Sequence, residues 1–193
     1  MARVIILMLL ATVIMAIAPL SGGVPDDQSP KAVAKWFERV ARHNTQPKLS
    51  KLHFYLHNNF TGNKTTVVQV AQANISATSP TRFGEVRVLD SLLTVTQDVN
   101  SKAIGRGQGL FTFTSREELD FSTTLTFIFT SGKYRGSTIQ LVGWSPFDKQ
   151  YREFPLVGGT NDLRLAQGIG TFQTLARDAA KEVIQVDFIF FHY

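Results

Sequence analysis

The sequence predicts an all-β protein, an antiparallel barrel entered by one short helix. Two observations carry this: apolar side chains recur at every second position through most of the chain, and turn-forming clusters interrupt them at short intervals. A third, aromatic residues on both faces of several strands, favours a closed barrel, with one face inside and the other against the helix or a partner subunit.

The helix is expected first. Ser29 is a sound N-cap and Pro30 suits the first helical position; Val33, Trp36, Phe37 and Val40 then share a face opposite Lys31, Lys35 and Glu38. Its Trp-Phe pair is read as packing. Residues 44–50, polar and holding a proline, read as a linker.

From Leu52 the period changes to two. Leu52, Phe54 and Leu56 alternate with His53, Tyr55 and His57; Val86 and Val88 alternate with Glu85 and Arg87; Phe111 and Phe113 alternate with Thr112 and Thr114. Thr124 to Thr130 and Val183 to Phe191 are rich in β-branched and aromatic residues, as buried strands are. Thr61-Gly62-Asn63, Ser79-Pro80, Ser131-Gly132, Arg135-Gly136-Ser137, Ser145-Pro146 and Gly158-Gly159 punctuate them.

Composition excludes several classes. The 193 residues are 44% hydrophobic and 11% aromatic, enough for one domain with a real core. There is no cysteine, so disulfides, thiol catalysis and cysteine metal sites are out. The net charge of +5 comes from scattered basic residues without aromatic interleaving, so no nucleic-acid surface is expected. Arg3 followed by the apolar run Val4 to Ala18 reads as a secretory signal, with cleavage near residue 23. That run is shorter than the roughly twenty residues that span a bilayer. The expected organisation is a signal peptide over 1–23, helix and linker over 24–50, and a barrel over 51–193, secreted and not membrane-bound. Three glycosylation sequons follow, at Asn59, Asn63 and Asn74, the first two too close for joint occupancy.

No standard catalytic motif is present. Gly105-Arg106-Gly107-Gln108-Gly109 precedes a strand pattern rather than a helix, and reads as a turn or bulge cluster. His53 and His57 share a strand face about 13 Å apart, too far to chelate one metal, so no metal is expected. Tyr134, after a glycine turn, is a candidate to stack on an aromatic ligand and equally a wall residue; Tyr55 is the second candidate substrate contact.

Five ordered blocks resemble the plant dirigent family: Leu52 to His57, Ser101 to Gly109, Gly132 to Thr138, Arg152 to Thr160, and the terminal His192-Tyr193. The resemblance covers roughly residues 36 to 193. It implies an eight-stranded antiparallel β-barrel of the dirigent and allene-oxide-cyclase kind, a homo-oligomer with a trimer favoured over a dimer, secreted to the apoplast. It implies a phenolic ligand such as coniferyl alcohol radicals, coupled stereoselectively towards lignan-type products, with the oxidant a separate laccase or peroxidase and no cofactor in the barrel. The chain would then be an auxiliary protein rather than an enzyme in the ordinary sense. Two other readings stay open: a cyclase or lyase acting on quinone-methide intermediates, and a non-catalytic phenolic-binding defence barrel.

By position, the resemblance places Asp162 as one of two pocket aspartates. Asn58 stands where the other is expected, Gln167 where the family has an arginine, and Asp90-Ser91-Leu92-Leu93-Thr94 replaces a family segment beginning Asp-Asp-Pro. Asn58 orients a ligand by hydrogen bonds but takes up no proton, and Gln167 removes a cation from beside Asp162. Arg164, two residues on, would share the face of Asp162 in a regular strand and compensate. On this reading Asp162→Asn costs more coupling bias than Asn58→Ala.

Overall fold

In the computed structural model, residues 28–43 and 45–193 are described; the signal segment and its cleavage point lie outside them. Helix α1 spans Pro30–Arg42, and Ser29 Oγ caps it by accepting from the Ala32 N–H at 3.2 Å. It has no buried residue: Val33, Trp36 and Val40 are half-covered and Phe37 is exposed. The helix is therefore an outlying element, joined to the barrel by a Trp36–Arg164 stacking contact at 5.4 Å and by Gln28 Nε2 donating to Asn161 Oδ1 at 2.6 Å.

Nine strands follow, β1 (Lys48–Asn59), β2 (Val67–Ala71), β3 (Val86–Thr94), β4 (Ala103–Phe113), β5 (Asp120–Phe129), β6 (Thr138–Pro146), β7 (Tyr151–Gly159), β8 (Gln167–Arg177) and β9 (Lys181–His192). Neighbours run antiparallel in the order β1-β9-β8-β7-β6-β5-β4-β3, and β1 pairs back onto β3, which closes an eight-stranded barrel. Short β2 takes over from β1 on the same edge of β3, pairing with its first half, Val86 to Leu89. β1 begins at Lys48, so the expected linker over 44–50 ends earlier than its composition suggests. Ser50 is recruited into the ladder opposite Phe190, because a full-length β9 offers it a partner. Among the described residues no helix is long and apolar enough to cross a membrane.

The inward face carries the core. Phe54, Phe127 and Phe188 form a triangle with ring centroids 5.0–5.6 Å apart, edge-on or tilted, as aromatic quadrupoles prefer. Each is fully buried, worth about 2–3 kcal/mol of apolar transfer per ring. The glycine-rich stretch 105–109 is not a turn, since it lies inside β4 and is paired on both sides, but the expected bulge is there at its edge, where the register with β3 shifts between Ala103 and Gly105. A Cβ on Gly107 would sit 2.8 Å from Leu56 Cδ1, so this strand is thinned to let opposing walls interlock. The outward face is also apolar in places. Val68, Val88, Leu110 and Val142 lie in one cross-strand row around β2 to β6, and Leu49 and Phe191 pair on β1 and β9, beside Ile189 and Ile169.

Candidate functional site

Antiparallel alternation sends different residues into the two ends of the barrel. At one end the last residues of β1, β4, β6 and β8 and the first of β3, β5, β7 and β9 surround a cavity of about 430 Å³. Its walls include Phe60, Phe111, Phe121, Phe147, Phe154 and Phe172. This is the size and lining typical of small-molecule sites, apolar walls around a few convergent polar groups.

The polar groups form one network. Asn58 on β1 stands directly opposite Glu182 on β9 in the ladder. Asn58 Nδ2 donates to Glu182 Oε2 at 2.8 Å and its Oδ1 accepts from Ser91 Oγ at 2.6 Å, so the amide is oriented from both sides. The other Glu182 oxygen accepts from Thr174 Oγ1 at 3.3 Å and from Arg177 Nη2, and the carboxylate is only 4% exposed. Arg177 also stacks on Phe147 at 4.2 Å. Arg82 and Arg87 enter from the rim, paired with Glu85 at 3.6 and 2.5 Å and set against Phe113. Arg152 on β7 is 4% exposed and donates Nη2 to Thr174 Oγ1 at 2.8 Å. Burial pulls its guanidinium below the ordinary arginine range; the charge of Glu182 opposes this and that of Arg177 adds to it.

The expected site residues do not converge. Asn58 lines this cavity, but Asp162 lies at the opposite end, in a groove shared with Lys48 at the start of β1 and His192 at the end of β9. This second groove is also bordered by Trp36 and Tyr134. Asp162 is exposed within a single 3₁₀ turn, Asn161–Leu163. Because that segment is a turn, the strand argument placing Arg164 on the face of Asp162 fails, and the Arg164 guanidinium stacks on Trp36 instead. Gln167 opens β8 and is exposed on the outer side opposite Phe191. Tyr55 also points outward: His53 Nε2 lies 3.1 Å from its hydroxyl, while His53 Nδ1 pairs with Asp187 at 2.6 Å. Tyr134 is a buried wall residue; its hydroxyl donates to Ser50 Oγ at 3.0 Å, which lies 3.0 Å from His192 Nε2.

Of the sequon asparagines, Asn63 and Asn74 are exposed, whereas the Asn59 amide is half-covered and donates to the Lys64 carbonyl at 2.9 Å. No group of metal-ligating side chains occurs among the described residues. Sequence reasoning missed Glu182 and Arg152. Both were readable as charged residues on the inward parity of apolar strands, Arg152 in step with Phe154 and Leu156, and Glu182 in step with Ile184 and Val186.

Residues 49–191 match the family model described as Dirigent-like protein. The chain belongs to the dirigent family. It is 38% identical over 142 residues to dirigent protein 11 of Arabidopsis thaliana, covering 72% of this chain and 74% of that one. It is 34% identical to pterocarpan synthase 1 of Glycyrrhiza echinata, covering 77% and 80%. Among solved structures, a pterocarpan synthase dirigent protein superposes with a TM-score of 0.72 at 33% identity, over 77% of this chain and 87% of that one.

Proposed function

We propose that the Asn58–Glu182 cavity of this dirigent barrel holds phenylpropanoid radicals or intermediates derived from them and directs their stereoselective coupling, towards lignan-type products. A separate laccase or peroxidase supplies the oxidation. The observation that carries this reading is an aromatic-walled cavity crossed by one hydrogen-bonded polar network, on the adjacent strands β1, β9, β8 and β7, which can orient a planar ligand. The apolar N-terminal run supports secretion to the apoplast, and exposed Asn63 and Asn74 are the favoured glycan acceptors. The apolar rows on the outer face support a homo-oligomer, and the family resemblance favours a trimer over a dimer.

The test is chiral chromatography of products formed from coniferyl alcohol by a laccase, with and without the protein. An enantiomeric excess that disappears in Glu182→Ala supports the reading; racemic product with unimpaired ligand binding leaves a phenolic carrier and overturns it.

Glu182 favours a second reading, non-oxidative ring closure of a quinone methide. A substrate hydroxyl adds to the methide carbon and its proton passes to the Glu182 carboxylate, while the quinone oxygen takes a proton from water to become a phenol and Glu182 returns its proton to water, so the net change is an isomerisation. Asn58 takes up no proton itself but holds the carboxylate that does.

A further inference from the structure

The charges around the Asn58–Glu182 cavity do not balance. Four arginines line it, Arg82, Arg87, Arg152 and Arg177. Glu85 answers Arg82 and Arg87 from behind the wall, and Glu182 answers Arg177 directly. Two carboxylates thus face four cations, an excess of two, and among the described residues Arg152 is the one of the four that no carboxylate touches. Arg152 makes no ion pair and no ring contact among the described residues, and uses one of its five N–H donors, to Thr174. Its Nε and the Ser145 Oγ are shielded from water and lack protein partners, and both residues line the cavity. A guanidinium stays protonated even when burial works against it; Glu182 acts on it only at a distance, across Thr174, and is already paired with Arg177, so the cavity keeps an excess of positive charge that an anion would meet.

We infer that the ligand is an aromatic molecule bearing a carboxylate, which Arg152 binds while the phenylalanine walls hold the ring. This rests on the reading of the cavity as a phenylpropanoid site and narrows its substrate class. A carboxylate fits better than a phenol hydroxyl: near neutrality a carboxyl group is ionised and a phenol is not, and only an ion offsets the buried charge. The planar guanidinium fork matches the two carboxylate oxygens, and the cavity volume of about 430 Å³ admits an aromatic acid with its side chain extended.

The experiment is titration calorimetry of the purified protein at pH 7 with ferulate, its methyl ester and coniferyl alcohol, which share one ring and differ in charge. Ferulate is expected to bind about tenfold or more tighter than either neutral compound, as suits a charge-assisted hydrogen bond. Arg152→Met, checked for folding by its thermal melt, is expected to abolish that preference while neutral-ligand binding persists. Equal affinity for ferulate and its methyl ester in the wild type overturns the inference whether or not the variant folds. Laccase coupling with each substrate separates the two failures. Bias with coniferyl alcohol but no preference for ferulate sinks only the carboxylate; a ferulate preference without bias in any product sinks only the coupling role.

Discussion

The two ends of this barrel are built by the same strands and the same alternation, and each opens on a groove, yet the two differ in how their buried polar groups are partnered. At the Tyr134 end, Ser50 and His192 meet the tyrosine hydroxyl, and Phe129 and Phe190 pack on its ring at 6.4 Å. Most of that polar network is answered within the protein. At the Asn58 end, Glu182 is fully engaged while Arg152 is left over. Each end leaves a shielded polar atom without a protein partner among the described residues, His192 Nδ1 at one and Arg152 Nε and Ser145 Oγ at the other, but only at the Asn58 end does it belong to a cation without an ion pair. Family position alone pointed to Asp162, which is exposed in a turn; geometry points to the residues facing Asn58.

The sharpest way to break the comparison is Glu182→Ala. It strips the carboxylate from Arg177 and leaves the neighbouring arginines facing each other, and we expect a loss of about 3 kcal/mol in urea unfolding together with the coupling bias. At the Tyr134 end, Tyr134→Phe removes one hydroxyl from the Ser50–His192 chain and should cost about 1 kcal/mol with product stereochemistry unchanged. Altered stereochemistry there would mean that the two ends communicate. Arg152→Met should leave stability unchanged or raise it, because a lone buried charge gives way to an apolar side chain of similar reach. A marked drop in the unfolding midpoint would show that Arg152 is structurally paired after all. Reversing the order expected from family position, Asn58→Ala should reduce coupling bias more than Asp162→Asn, since only Asn58 touches the Glu182 carboxylate.

The smallest effect concerns pH. Burial lowers the His57 pKa, with Asp98 acting in the opposite sense, and its Nε2 lies 2.7 Å from Thr94 Oγ1. The unfolded chain then binds the proton more readily than the folded one. Stability from this group is therefore present above the unfolded histidine pKa, near 6.5, and declines as pH falls from there towards the lower folded value. Urea midpoints measured from pH 7.5 to 5 should fall less steeply in His57→Gln than in the wild type; parallel curves would remove His57 from the pH response.

Much of the fold was legible in the residues themselves. The capped helix at Ser29-Pro30, the strands around Leu52 to Leu56 and Val183 to Phe191, and the turns at Gly132 and Gly136 all follow from local chemistry, and local chemistry acts over a few residues. The glycines of β4 misled as to a turn because thinning a strand and turning a chain call for the same residue. The site was legible only in fragments. Asn58 was singled out, but the two side chains it bonds, Ser91 and Glu182, lie 33 and 124 residues away in sequence, and no spacing rule links them.

By itself the sequence determined that the chain alternates, where it turns, and that its blocks are those of a dirigent barrel. Which of the two alternating faces lies inside was decided by closure. Val86 and Val88 look like the core side of β3, yet Val88 is exposed while Arg87 faces the cavity and Leu89 the core. The physical reason is that a period of two is symmetric between faces. Pairing β1 onto β3 breaks that symmetry, turning Phe54, Leu56 and Asn58 inward together and setting Asn58 against a glutamate contributed by the far end of the chain.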